Sequence, residues 1–391
     1  MKIGFHARHL SSPNLTGWNR YSINLLRELG CLGTEIVLYG NKPLDVQYLA
    51  LLVEFDCQVR IAPVMPYFVY EQFWLARQSE RDELDVFHSP FNAGIPWLAS
   101  CATVLTIHDL IEEKFNDPAA RAMLRSSLTG VRRFRRHIGW RKDRVQERLY
   151  QRIARYRADR VITVSKHAKT DIISEFSSLQ GRVSVIYNAA GPEFKRSVSN
   201  NERQDMRKRY DLSRPYVLYV GSYQRRKNVS FLIRAFASTQ LPDVLLALAG
   251  DLSHHGIDHD LIEDLRLTDK VRCVGVVADR DLPAMYAEAG CFVYPSLYEG
   301  FGLQLCEAMA CRCPTLAADA TCLPEVLGGG GEIFSLDDPR QLGALIRRIF
   351  REPEFANCLR GKALERSADF SWRRAAEETR EVYQAAIAAR R

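Results

Sequence analysis

The segment Tyr294–Leu327 reads YPSLYEGFGLQLCEAMACRCPTLAADATCLPEVL. A short apolar strand, Cys291–Tyr294, runs into a Pro-Ser turn, and the glycine-flanked aromatic Glu299-Gly300-Phe301-Gly302 follows at once. Glycines at these positions let backbone approach a ligand with no Cβ in the way. The residues after Gly302 are good helix formers, so a helix opens near Gly302. Its free N–H groups and the positive end of its dipole then face whatever lies in front, which suits phosphate. Seven residues separate Glu299 in the loop from Glu307 in the helix. At ~1.5 Å rise per residue Glu307 lies about two turns along, so the two acids address different parts of one ligand. A helix start carrying two solvated glutamates is the plain alternative.

This spacing, with Pro324-Glu325-Val326 downstream, resembles the E-x7-E signature of retaining glycosyltransferases of family 4. That family has the α/β GT-B fold, two Rossmann-like doubly wound domains facing across a cleft. The resemblance implies that Glu299 faces the transferred sugar of a nucleotide-sugar donor and that Glu307 accepts hydrogen bonds from the ribose hydroxyls. It also implies that Gly300 and Phe301 belong to the donor loop, and that the Gly302-Leu303 amides meet the diphosphate. Gln304 stands where the family usually has Pro, and Arg312 where it usually has Gly. Both departures bear on the frame around the acids more than on the chemistry.

Upstream, the strand Tyr216–Val220 leads through Gly221-Ser222-Tyr223-Gln224-Arg225-Arg226-Lys227-Asn228 into the apolar helix Val229–Phe236. Adjacent Arg and Lys in a strand-to-helix loop offer a fork and a point charge to a diphosphate. An exposed basic turn would look the same. The family carries Arg-Lys-Asn or Arg-x-x-x-x-x-Lys here, so Arg226 and Lys227 resemble its diphosphate clamp, and the resemblance makes Gly221 a donor-binding residue of the same loop. Many members place Arg directly after the glycine, where this chain has Ser222, so either Arg225 or Arg226 supplies the guanidinium. Lys227 is expected on an open loop, where its loss has little effect on folding.

His108-Asp109 ends the strand Val104–Ile107, where α/β sheets place ligands. A histidine there is commonly structural. Thr106-Ile107-His108-Asp109-Leu110 resembles the family's strand-end His-Asp, which implies that His108 contacts the donor sugar and the reaction centre. Thr16-Gly17-Trp18-Asn19-Arg20-Tyr21 resembles the Thr-Gly variant of the family's first glycine loop, which puts Gly17 against donor phosphate or acceptor. It is not a G-x-G-x-x-G, so dinucleotide binding is not signalled.

Strands are expected at Glu35–Leu38, Gln58–Ile61, Asp85–His88, Thr103–Ile107, Arg160–Val164 and Val183–Tyr187, after a first strand at Lys2–Phe5. Helical patterns between several of them argue for a mostly parallel α/β sheet. Asn188-Ala189-Ala190-Gly191-Pro192 breaks the pattern as a hinge. Strands recur at Val244–Ala249, Val271–Val274, Cys291–Tyr294 and Thr315–Ala317. The expected organisation is an acceptor-side domain over 1–190 and a nucleotide-sugar domain over 191–370. A final amphipathic helix over 371–391 crosses back to the first domain, as the resemblance implies.

At 391 residues and 47% hydrophobic, the chain has material for two cores. No apolar run approaches the ~18 residues of a membrane span, and the start has no leader-like apolar stretch. A cytoplasmic protein, peripheral on the membrane, is expected. Ten cysteines show no C-x2-C pair, and the cluster Cys306, Cys311, Cys313, Cys322 reads as buried free thiols. Asp279-Arg280-Asp281 spells Asp-x-Asp but precedes a helical pattern, so helix capping is the expectation. No metal and no cofactor are expected, the nucleotide sugar being a substrate.

Between Arg121 and Arg160 fourteen Arg and Lys face three acids, a net +11 in a chain whose total is +7. One segment thus supplies the whole basic excess. Such runs are usually solvated faces, but this imbalance favours an anionic partner. By resemblance to members acting on lipid-linked acceptors, Arg132, Arg133, Arg135 and Arg136 form a patch for acceptor and anionic membrane. The segment matches no nucleic-acid motif, so no nucleic-acid partner is expected. A glycoside hydrolase would also use two carboxylates but needs no cationic clamp. The expected function is retaining, metal-independent transfer of a hexose to a glycan or lipid-linked acceptor in surface-polysaccharide assembly, with GDP-mannose the first donor. A UDP-sugar transferase and a non-transferring sugar-nucleotide epimerase remain as alternatives.

Overall fold

The computed structural model describes residues 1–12, 16–53, 55, 57–114, 148–250 and 259–390. The chain divides into two units, Met1–Tyr187 with Trp372–Arg391, and Asn188–Ser371. The basic run containing Arg132, Arg133, Arg135 and Arg136 lies outside the described residues.

Among the described residues the first unit holds seven strands: β1 (Lys2–His6), β2 (Glu35–Gly40), β3 (Gln58–Ile61), β4 (Val86–Ser89), β5 (Ala102–Ile107), β6 (Arg160–Thr163) and β7 (Val183–Val185). They lie in the order β3-β2-β1-β4-β5-β6-β7, every pair parallel. The central strands are buried along their whole length, as a parallel sheet covered on both faces requires. Strand order reverses between β1 and β4, and a crevice outside the carboxyl ends of two such strands is where open α/β sheets take ligands. Helix Gly17–Cys31 begins with a capping box, in which Thr16 accepts from Asn19 N and the Asn19 side chain accepts from Thr16 N. The final helix, Trp372–Arg390, packs within this unit. Trp372 lies edge-on to Tyr21 at 5.9 Å, and Tyr383 Oη lies 2.7 Å from His88 Nδ1.

The described residues of the second unit hold six: β8 (Tyr216–Val220), β9 (Leu245–Ala249), β10 (Val271–Gly275), β11 (Cys291–Tyr294), β12 (Thr315–Ala318) and β13 (Glu332–Phe334). Their order is β10-β9-β8-β11-β12-β13, again wholly parallel. The reversal here falls between β8 and β11. It therefore brings the loop after β8, with Arg226-Lys227, beside the loop after β11, with Glu299. Leu297 N donates to Arg226 O at 2.7 Å and ties the two loops together. No helix among the described residues is long and apolar enough to cross a membrane.

Candidate active site

Three of the expected residues meet on one atom. Glu299 Oε1 lies 2.6 Å from Lys227 Nζ and 2.9 Å from Arg226 Nη1. Arg226 also donates to Tyr298 O and to Gln224 Oε1, while Arg225 stays exposed. The guanidinium in this cluster is thus that of Arg226. Lys227 donates to Tyr294 Oη at 3.0 Å, and that hydroxyl in turn donates to Gln304 Oε1 at 3.0 Å. Gln304, where the family usually has Pro, is therefore part of the support for Lys227.

Lys227 is only 5% exposed. This corrects the expectation of an open loop lysine. Asn228 takes a left-handed backbone at φ 54° and turns the short helical segment Arg225–Lys227 into helix Val229–Ala237, which carries the lysine inward. Burial pulls the pKa of Glu299 upward, but the Lys227 and Arg226 charges outweigh it and hold the carboxyl below its ordinary value. The acid is an anion shared by two cations, in a pocket of protein that excludes most water.

Gly302 sits at φ 84°, a left-handed conformation that favours glycine, and caps helix Leu303–Ala310. The first turn of that helix offers backbone N–H groups with no partner inside the helix. Gly300 is buried beside it. Phe301 is buried with its ring edge against Phe370 at 5.8 Å, so its side chain serves packing, and its backbone is what the loop presents. Glu307 is 3% exposed and accepts from Tyr286 Oη at 3.1 Å. At Gly221 a Cβ would lie 2.7 Å from Tyr219 Oη, so the loop after β8 needs glycine for space.

His108 and Gly17 belong to the first unit. His108 follows β5 and is 8% exposed. Its Nε2 lies 2.8 Å from Pro90 O. A carbonyl only accepts, so Nε2 carries the proton and Nδ1 presents a lone pair. The ring of Tyr21 stands edge-on to it at 4.7 Å. Tyr21 Oη lies 3.0 Å from Thr106 Oγ1, and Thr106 Oγ1 lies 2.8 Å from His88 Nε2. This buried chain behind His108 fixes its orientation and left no trace in local sequence pattern. Gly17 opens helix Gly17–Cys31, and a Cβ there would meet nothing within 4 Å, so space lies open in front of it.

Burial lowers His108 to about 4, and lowers His88 and His9 to about 3, from the ordinary 6.5. The unfolded chain binds protons at these positions as pH falls through 6.5, whereas the folded unit resists until much lower pH. Stability is therefore lost as pH drops from about 6.5 toward 4. The melting temperature is expected to fall steadily between neutral pH and about pH 5, and a flat profile there would contradict the neutral, buried assignment.

Asp281 corrects one expectation. It stands at the start of helix Leu282–Glu288, but its side chain makes no cap hydrogen bond. Its Oδ2 is held instead by Arg209 and Tyr210. Cys306, Cys313 and Cys322 are buried free thiols and Cys311 is a half-buried one. Among the described residues no group of three or more His, Cys, Asp or Glu is placed to hold a metal.

Comparison with known proteins accounts for both units. The family described as "Glycosyltransferase Family 4" matches residues 15–194, and "Glycosyl transferases group 1" matches residues 200–366. O-antigen chain mannosyltransferase B of Escherichia coli is 31% identical over 57% of this chain and 60% of its own. The serotype-specific mannosyltransferase WbdA of Escherichia coli is 29% identical over 71% of this chain but only 32% of its own. The match thus spans from about a third to three-fifths of these relatives' length. HepE of Anabaena, solved in complex with UDP-glucose, superposes with a TM-score of 0.73 over 97% of this chain and 98% of its own. Its identity is 19%, so that likeness is one of fold.

Proposed function

The chain belongs to glycosyltransferase family 4 and has the GT-B fold, and from that premise we propose that it moves a hexose from a nucleoside-diphosphate sugar to a glycan or lipid-linked acceptor in surface-polysaccharide assembly, with retention of configuration. Mannose from GDP-mannose is the preferred donor. The names of the two mannosyltransferase relatives support that choice, and a UDP-sugar is the alternative. The observation that carries the reading is the pair of cations on Glu299 at the strand reversal of the second unit. Two cations against one carboxylate leave net positive charge where a diphosphate leaving group gains negative charge. Fixed cations that need no reorganisation stabilise such a transition state strongly.

In this reading Arg226 and Lys227 neutralise the departing diphosphate, and the Gly302-Leu303 amides add the helix dipole. Glu299 faces the sugar while holding both cations in place, and Glu307 takes the ribose. His108 offers its Nδ1 lone pair to a sugar hydroxyl, and the departing phosphate helps to deprotonate the acceptor hydroxyl. The test is incubation with GDP-mannose and, separately, UDP-glucose, with a panel of simple glycosides as acceptors. Nucleotide release and the anomeric proton of the product are followed by NMR. A product with the donor's anomeric configuration is expected. Inverted configuration, no nucleotide release from either donor, or conversion of the donor to another sugar nucleotide without acceptor would each overturn the reading.

The reading requires no metal, so activity is expected to survive EDTA. A large loss restored by Mg²⁺ or Mn²⁺ would count against it. It also places the protein at the cytoplasmic face of a membrane through the basic segment. Basic side chains near an anionic leaflet contribute about 1 kcal/mol each, screened by salt. Sedimentation with anionic but not neutral liposomes is expected, with loss on changing Arg132, Arg133, Arg135 and Arg136 to Ser. Binding indifferent to lipid charge would contradict it.

A further inference from the structure

We propose that Gln304 touches the leaving diphosphate directly, its side-chain amide adding a fixed neutral donor to the charges of Arg226 and Lys227. This rests on the transferase reading above. It adds a contact residue at a position where this chain departs from the proline usual in the family.

The protons around Tyr294 decide which way that amide faces. The Lys227 ammonium only donates, and it donates to Tyr294 Oη at 3.0 Å. The hydroxyl has a single proton of its own, which goes to Gln304 Oε1 at 3.0 Å. Tyr294 is fully buried, and the ammonium lies 5.0 Å from the centre of its ring, so water competes little for either bond. With its oxygen committed, the amide is held in one orientation and its NH2 faces away from the hydroxyl. Among the described residues that NH2 makes no hydrogen bond. Gln304 is half-buried, and its nitrogen is not one of the buried unpartnered atoms, so it keeps access to solvent. Two donors are therefore oriented and unspent.

Helix geometry carries them to the diphosphate side. Gln304 is the second residue of helix Leu303–Ala310, and Cα–Cβ bonds in a helix tilt toward its N-terminus. The side chain thus leans over the turn that carries the Gly302-Leu303 amides. One hydroxyl separates it from Lys227, whose Nζ lies 2.6 Å from the same Glu299 oxygen that Arg226 holds at 2.9 Å.

An anion rich in acceptors fits this set. Phosphate oxygens only accept, as the NH2 only donates, and two cations against one carboxylate leave the surroundings positive. A sugar hydroxyl must also donate, and Gln304 has no acceptor left for it once Oε1 is spent on Tyr294. A glutamine that merely supported Lys227 would act only through the Tyr294 hydroxyl, and that difference can be measured.

The full chain is titrated calorimetrically with GDP and with UDP, as wild type, Gln304→Ala, Tyr294→Phe, their double variant and Gln304→Glu. Thermal unfolding checks that each folds. The wild type is expected to bind at least one of the two nucleotides. Gln304→Ala is expected to weaken that binding about tenfold, the scale of one hydrogen bond to a charged group. On the Tyr294→Phe background Gln304→Ala costs about threefold or more again, because the amide still reaches phosphate without the hydroxyl. Gln304→Glu keeps an oxygen for Tyr294 but puts an acceptor where the donor was, and it binds more weakly than Gln304→Ala. Unchanged affinity in Gln304→Ala, no further loss on the Tyr294→Phe background, or wild-type affinity in Gln304→Glu overturns the contact and leaves the transferase reading standing. A wild type that binds neither nucleotide overturns both.

Discussion

Lys227→Ala is expected to lower kcat by about 10²–10³, corresponding to about 3–4 kcal/mol, the scale for removing one preorganised charge contact to a transition state. The ammonium is 2.6 Å from Glu299 Oε1 and 3.0 Å from Tyr294 Oη, in a site where water contributes little screening. Its buried position adds a second effect. Removing one partner of a buried pair leaves the other charge undercompensated, though Arg226 remains on the same oxygen. A stability loss of about 2 kcal/mol is expected, the range of a hydrogen bond to a charged group. The two effects separate by measuring kcat per folded molecule beside a denaturant titration. Activity within threefold of wild type, or unchanged stability, would mean that the lysine does not sit in the charge cluster described.

Glu299→Gln is the second large effect. Glutamine keeps the shape and can accept a hydrogen bond, but it leaves Lys227 and Arg226 with no anion between them. A fall in kcat of about 10² is expected, with a smaller change in donor KM. Because its carboxyl is held below the ordinary range, Glu299 contributes stability above that range and loses it as pH falls through its folded value. The glutamine variant should therefore be less stable than wild type at neutral pH and converge with it in acid. Glu307→Gln is expected to behave differently. A ribose contact is made in ground and transition states alike, so donor KM rises with little change in kcat. Equal effects on both parameters in both variants would show that the two acids do not divide their roles in this way.

Most of the fold was legible because parallel strands buried on both faces read as short apolar runs. Val104–Ile107 and Cys291–Tyr294 stand out that way in the sequence, and both are strands. β13 did not, since Glu332–Phe334 is three residues long, partly exposed and preceded by four glycines. The site was legible where chemistry is local: Arg226 and Lys227 are adjacent, and Glu299 sits in a glycine-flanked loop. What joins them is not local. Seventy-three positions separate Arg226 from Glu299, and only the strand order that sets β8 beside β11 brings them together. The burial of Lys227 follows from the left-handed turn at Asn228, for which the sequence carries only a residue tolerant of that conformation. His88 was read only as a strand residue, and its partner Tyr383 lies 295 positions away, with Thr106 on its other nitrogen.

The central claim is that the charge cluster of the second unit receives the diphosphate of a nucleotide sugar, and ligand-induced stabilisation tests it most directly. Wild type and Arg226→Ala are melted with GDP, GDP-mannose, UDP and UDP-glucose, since any ligand that binds the folded state raises its melting temperature. The account predicts that at least one nucleotide diphosphate and its sugar conjugate stabilise the wild type, and that the shift is largely lost in Arg226→Ala. No shift with any of the four, or the same shift in both proteins, would contradict it.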